Sequence, residues 1–290
     1  MIKIERYDLE KIETEYLEKI SQKKRQERNN HIQSCFINNI EKIVLAKPNE
    51  FNDWISLFDE YNKPNDESFK KFKGYMNRQY EAMTKECGYW LAEKLNVNTC
   101  PYCNRQYTFT IDKKKKTRPQ FDHFYPISIY PYFALSFYNL IPCCSICNQI
   151  KTDSTKTLLH PYCEGFGDSF YFNINHKDYI LNKKKIEVKF NSVNGYNNEF
   201  VKKCENNVSE FALKDLYSKH SDYMEEIIEK AYSYNDSFYD SLIHDFSKMG
   251  KTHSEIDRLI FGNYIDLADN EKRPLSKLTR DLLRSIGLKG

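Results

Sequence analysis

Four cysteines in two closely spaced pairs carry the most specific chemistry in this chain. Cys100 and Cys103 form one pair, and Cys144 and Cys147 form the other. Two intervening residues let one tight turn present both thiolates of a pair to the same ion, and two such pairs complete a tetrahedron of sulfur around Zn²⁺. Because sulfur fills all four positions, we expect one structural zinc ion per chain and no open coordination position for catalysis.

The second pair leaves one choice open. Cys143 directly precedes Cys144, so Cys143 and Cys147 could in principle serve together. The two-residue spacing favours Cys144. The other cysteines are scattered, and nine is an odd count, which suits reduced thiols in the cytosol rather than a disulfide framework.

An Asp-His dipeptide lies between the two cysteine pairs and suggests hydrolytic chemistry. An unperturbed imidazole titrates near neutral pH, so His123 is a candidate general base. Asp122 is a hard oxygen ligand suited to Mg²⁺ or Mn²⁺, and the side-chain carbonyl of Asn148 could join the same ion. Successive residues of a strand point to opposite faces, so Asp122 and His123 are not expected to pair with each other. A water activated by the base and a metal that stabilises charge are what phosphodiester hydrolysis needs.

These motifs together resemble the HNH nucleases. The resemblance rests on Asp122-His123-x-x-Pro126, then Asn139, then Cys144-x-x-Cys147-Asn148-x-x-Lys151. It implies a ββα-metal core that cuts nucleic acid with one divalent metal ion and a histidine base. It also implies that Asn139 braces the loop that holds the histidine. The third residue of the triplet is Asn148 instead of histidine, which is a common variant. His160, twelve residues further on, is a competing third ligand.

A closer resemblance is to the bacterial HNH proteins found beside large ATPases in anti-phage systems of the Septu kind and beside some retrons. The segments 100–107, 121–126, 134–142 and 147–151 carry it, and segments 216–220 and 274–278 also look like that group. The resemblance implies a DNA-directed nuclease effector that is held in check by a partner ATPase. The alternative is an inactive zinc-knuckle subunit that binds nucleic acid or serves as a scaffold for the ATPase.

Basic residues lie where the motifs lie. Between residues 100 and 160, eight Lys and Arg stand against three Asp and Glu, while the whole chain carries +3. We expect contacts with nucleic-acid phosphates from a run of lysines at a hairpin tip and from two further basic residues. These are Lys113, Lys114, Lys115, Lys116, Arg118 and Lys151.

Periodicity predicts an α+β chain that is mainly helical. Helices are expected in an N-terminal region 1–97 and late in a C-terminal region 161–290, with a zinc-stapled ββα-metal core at 98–160. Within the core, strands are predicted at Tyr107–Ile111 and Arg118–His123, and a helix from Ser145 to about Thr152. Further strands are predicted at Ser169–Ile174 and Lys185–Phe190. The first residues lack the apolar segment of a secretory signal, and no stretch is long and apolar enough for a membrane helix, so we expect a cytoplasmic protein.

Overall fold

The computed structural model describes residues 1–288 except residues 22–29, 62, 64, 113, 115 and 235. The fold is α+β and mostly helical, as predicted. The helices described are α1 Leu9–Ser21, α2 His31–Asn38, α3 Ile40–Leu45, α4 Phe51–Asp59, α5 Glu67–Leu95, α6 Ser145–Lys151, α7 His176–Asn182, α8 Asn198–Glu210, α9 Leu213–Ser218, α10 Ser221–Ser233, α11 Asp236–Lys248, α12 His253–Phe261 and α13 Ser276–Ile286. The strands are β1 Gln120–His123, β2 Leu140–Cys143, β3 Phe170–Ile174 and β4 Val188–Ser192.

The chain forms two compact units, and neither is a continuous stretch of sequence. One unit, called here the hairpin unit, contains residues 4–97 and 108–156. The other, called the C-terminal unit, contains residues 1–3, 98–107 and 157–290. The predicted regions 1–97, 98–160 and 161–290 do not coincide with these units, because side chains far apart in sequence share each core.

The hairpin unit is built on the long helix α5. Asp66 begins this helix by accepting hydrogen bonds from the backbone N–H groups of Ser68 and Phe69, which satisfies donors that a helix start leaves unpaired. Phe72, Met76 and Met83 are buried along one face of this helix. Helix α1 packs on α5, and its buried Tyr16 donates a hydrogen bond of 3.0 Å to the carbonyl of Leu135.

The central hairpin differs from the predicted one. β1 pairs antiparallel with β2, with Asp122 opposite Ile141 and His123 opposite Leu140. The predicted strand Tyr107–Ile111 contributes only isolated bridges at Tyr107 and Ile111. β2 was missed because Leu140–Cys143 is short and contains Pro142. That proline lies at a position of the ladder without hydrogen bonds to β1, so its missing N–H does not weaken the pair.

The C-terminal unit contains the second sheet and most of the later helices. β3 and β4 pair antiparallel from Phe170 with Ser192 to Ile174 with Val188, close to the two predicted strands. Helix α13 packs against β3 and α10. None of the described helices is both long enough and apolar enough to cross a membrane.

Candidate active site and cysteine cluster

The site is assembled on β1, β2 and α6 of the hairpin unit. Helix α6 begins directly after β2 and packs against β1. Gln120 and Asp122 project from one face of β1, because alternate residues of a strand share a face. Asn148 and Lys151, three residues apart on α6, reach these two side chains. Asn148 donates a 2.8 Å hydrogen bond to Gln120, and Lys151 contacts Asp122.

Lys151 is fully buried, with 0% of its side chain exposed, and Asp122 is 3% exposed. The ammonium of Lys151 lies 3.2 Å from Oδ1 of Asp122 and 2.7 Å from the backbone oxygen of His123. A lysine is almost never fully buried unless its charge is paired. This position does not fit the phosphate contact predicted for Lys151, because the ammonium is enclosed and already bound to protein oxygens.

His123 points to the other side of the strand, as the alternation of side chains predicts. Its Nε2 lies 3.1 Å from the carbonyl oxygen of Ala134, and its ring packs edge-on against Tyr80 with centroids 4.4 Å apart. Tyr80 also donates a hydrogen bond to the backbone oxygen of Phe121. Burial lowers the pKa of His123 to about 4, and the nearby charge of Lys151 acts in the same direction. The imidazole is therefore neutral at pH 7, which is the state that can accept a proton.

Asn139 is fully buried and braces the loop between the two strands. Its side-chain oxygen accepts a hydrogen bond of 2.7 Å from the N–H of Tyr125. Its amide nitrogen donates to the carbonyls of Tyr125 and Phe133, each at 3.1 Å. These three bonds satisfy backbone groups of a buried loop that no strand or helix would satisfy. The loop that follows His123 is thus held in place by Asn139.

Oxygen donors suitable for a hard divalent cation are present at this site. Asp122 offers a carboxylate, and Asn148 and Gln120 offer amide oxygens on the neighbouring surface. The donor types fit Mg²⁺ or Mn²⁺, but the carboxylate is shared with the ammonium of Lys151. Sequence analysis missed both Gln120 and the Lys151–Asp122 pair. The sequence did contain a signal for this group of residues. Asn148 and Lys151 are three residues apart, which places both side chains on one face of a helix.

The four predicted cysteines form a cluster that could bind a structural metal ion such as zinc. All four are buried, and their sulfur atoms lie within 4.8 Å of one another. Sulfur atoms of a zinc tetrathiolate lie about 3.8 Å apart for bonds of about 2.3 Å. Cys144, not Cys143, belongs to the cluster, as predicted. Burial raises the pKa of the Cys143 thiol well above its ordinary value, which favours a neutral thiol.

Backbone geometry supports this arrangement of the cysteines. The Sγ of Cys144 accepts from the N–H of Cys147, so Cys144 serves as the cap of α6. The Sγ of Cys103 accepts from the N–H of Arg105 at 3.4 Å. N–H donors directed at sulfur stabilise thiolate ligands. Among the described residues, this is the one group of three or more Cys, His, Asp and Glu side chains that could share an ion.

The remaining predicted residues have different surroundings. Lys114 and Lys116 are exposed in a turn closed by the bridge between Ile111 and Thr117, whereas Lys113 and Lys115 lie outside the described residues. Arg118 is half-buried, and its guanidinium lies over the rings of Tyr89 and Phe121. This places Arg118 in packing contacts rather than in an open basic patch.

His160 belongs to the C-terminal unit and is buried beside Tyr162, with ring centroids 6.0 Å apart.

Comparisons of this chain with protein-family models, with curated proteins and with solved structures yield no match.

Proposed function

We propose that this protein is a metal-dependent endonuclease of the HNH type that hydrolyses phosphodiester bonds in nucleic acid, with DNA as the expected substrate. One observation carries the proposal. Asp122 and His123 end a strand whose following loop is braced by Asn139, and helix α6 brings Asn148 to the face of β1 that bears Asp122. The motifs on which the resemblance rests are thus assembled around one hairpin and one helix.

In the proposed reaction, His123 accepts the proton of the attacking water through its imidazole. The carbonyl of Ala134 and the ring of Tyr80 hold that imidazole in one orientation. Asp122 and Asn148 would hold the Mg²⁺ or Mn²⁺ ion, which would neutralise charge on the phosphate and the leaving oxygen. Lys114 and Lys116, which are exposed in their turn, would contact backbone phosphates.

The decisive experiment is cleavage of a plasmid by the purified protein with Mg²⁺ or Mn²⁺. His123→Ala should abolish cleavage and leave zinc content and nucleic-acid binding near the wild-type values, because a base acts on the transition state. Undiminished cleavage by this variant would refute the assignment of the base. A wild-type protein that binds nucleic acid but cleaves neither DNA nor RNA would favour the non-catalytic subunit instead.

A structural zinc ion is the second part of the proposal. Metal analysis should find about one zinc ion per chain, because four closely spaced thiolates form a complete tetrahedral site. Cys147→Ser should unfold the surrounding structure, since structural zinc supplies folding free energy directly. Cys143→Ser is the matched control, being a buried neighbour outside the cluster, and should be mild. If Cys143→Ser destabilises the protein as much as Cys147→Ser does, the proposed set of four zinc ligands is wrong.

We further propose that the protein acts in anti-phage defence with a large ATPase that restrains its activity. Helices α10 and α11 offer a surface for such a contact: Tyr232 is 44% exposed and Phe238 is 47% exposed. Exposed aromatic residues are favoured in protein interfaces. Isolation of the protein from native cells, followed by sizing of the complex, tests this. A monodisperse and fully active protein without a partner would refute it.

A further inference from the structure

The burial of Lys151 has a geometric consequence for the proposed nuclease. In the β1–β2 ladder, Asp122 pairs with Ile141 at a hydrogen-bonded position, and the N–H of Phe124 donates to the carbonyl of Asn139. His123 lies between these positions, so its carbonyl points away from β2 and has no partner in the ladder. Lys151 supplies the missing donor at 2.7 Å.

The same ammonium also holds Asp122 through Oδ1 at 3.2 Å. Its two contacts therefore fix a side chain and a main-chain group on successive residues. One is the carboxylate proposed to bind the metal ion, and the other is the backbone of the residue proposed as the base. Since both anchor points lie at the end of β1, a displacement of Lys151 would change the direction of both groups together.

Helix α6 brings this lysine to β1. The helix has seven residues and ends at Lys151. Thr152 then adopts a φ of +46°, a conformation that β-branched residues rarely take. Backbone strain of this kind persists only where the surrounding structure imposes it. The helix thus stops at the residue whose ammonium reaches β1.

We propose that Lys151 is a positioning residue of the active site, which sets the orientation of the Asp122 carboxylate and of the backbone that carries His123. This inference rests on the nuclease function proposed above. It replaces the phosphate contact predicted for Lys151 with a role inside the protein. Lys151 acts through Asp122 and His123 and does not touch the substrate.

The test compares Lys151→Met with a matched control in the C-terminal unit. Lys277 is also a buried lysine paired with an aspartate, Asp281, and has no part in the proposed site. Both methionine variants lose a buried ion pair, so both should unfold at lower denaturant concentration. Zinc content and the folded fraction are measured first, and steady-state plasmid cleavage with Mn²⁺ is then expressed per folded, zinc-loaded molecule.

For Lys151→Met, we expect kcat at saturating Mn²⁺ to fall by about tenfold or more while KM for the plasmid changes by less than about threefold, because misplaced groups affect the transition state most. Lys277→Met should retain the wild-type kcat within about twofold, since a structural pair does not act on the transition state. Lys151→Gln, which keeps a hydrogen-bond donor, should recover part of the loss. Wild-type kcat in Lys151→Met would overturn the inference.

Two further outcomes keep this inference separate from the proposed function. Absence of cleavage by the wild-type protein, or full cleavage by His123→Ala, counts against the nuclease itself.

If the Lys151 variants do not fold, acetylation of the native wild-type protein gives a second test. Lys151 should be protected as strongly as Lys277, whereas the exposed Lys42 should react rapidly. Rapid acetylation of Lys151 would refute the buried contacts on which the inference depends.

Discussion

The hairpin unit and the C-terminal unit each contain a buried lysine–aspartate pair, and the two pairs are built differently. Lys277 and Asp281 are four residues apart on α13, so one helix brings them together. Lys151 and Asp122 are 29 residues apart and meet only because α6 packs against β1. Each unit also contains a buried asparagine that braces a loop, Asn139 in one and Asn263 in the other.

The comparison shows that buried polar contacts are not by themselves a sign of catalysis. The pair on α13 has a structural explanation, since Asp281 also accepts the N–H of Phe172 and thereby ties α13 to β3. What distinguishes the hairpin unit is the histidine next to its aspartate and the oxygen donors on the same face of β1. The C-terminal pair therefore serves as an internal control for the proposed active site.

Removing the aspartate of each pair should have the largest effect on stability. Asp122→Ala and Asp281→Ala each leave a buried ammonium without its counter-ion, which destabilises by about 3–5 kcal/mol. The loss should be greater for Asp281→Ala, because the N–H of Phe172 also loses its acceptor. Urea unfolding of the two variants measures this. An Asp122→Ala protein as stable as wild type would show that the Lys151 pair is not buried in solution.

Removing each bracing asparagine should have an intermediate effect. Asn139→Ala leaves backbone groups of Tyr125 and Phe133 unsatisfied, and Asn263→Ala does the same to those of Tyr264 and Pro274. Each should lower the free energy of unfolding by about 1–3 kcal/mol.

A cleavage assay should distinguish the two asparagine variants. Only Asn139→Ala should reduce cleavage per folded molecule, because it loosens the loop that follows His123. Equal loss of cleavage in both variants would remove the distinction between the two loops. Urea unfolding and plasmid cleavage of the same preparations provide the two measurements.

A third effect should be on the pH dependence of stability, and it should vanish at neutral pH. The folded-state pKa of His123 lies at about 4, below its ordinary value of 6.5, so the unfolded chain binds the proton more tightly. The contribution of His123 to the free energy of unfolding is therefore fully present above about pH 6.5 and is lost as the pH falls toward 4. His123→Gln should make unfolding less sensitive to acid in this range.

His176 in the C-terminal unit provides the comparison for this titration. Burial lowers its pKa as well, with Lys177 acting in the same direction. His176→Gln should therefore also reduce acid sensitivity, without affecting cleavage. If His123→Gln unfolds with the same pH dependence as wild type, His123 is not protected from protonation in the folded protein.

Much of the local structure could be predicted from sequence because it depends on short-range patterns. The buried stripe of α5, the start of α6 at Ser145 and the strand at Phe170–Ile174 follow from spacing and capping over a few residues. The sequence also showed which four of the nine cysteines would cluster, because a tight turn requires the two-residue spacing within each pair. Lys277 and Asp281 stand at a helical spacing that permits their contact.

Only the tertiary structure decided which strand pairs with β1 and what Lys151 does. Pro142 weakens the strand signal of β2, and only the register shows that its missing N–H is not needed there. Arg118 and Lys151 are basic like Lys114, but aromatic rings partly cover Arg118, and Lys151 is fully buried beside Asp122. Sequence shows which charges a chain carries, whereas packing determines whether water, phosphate or a protein group solvates them, because that depends on contacts between distant residues.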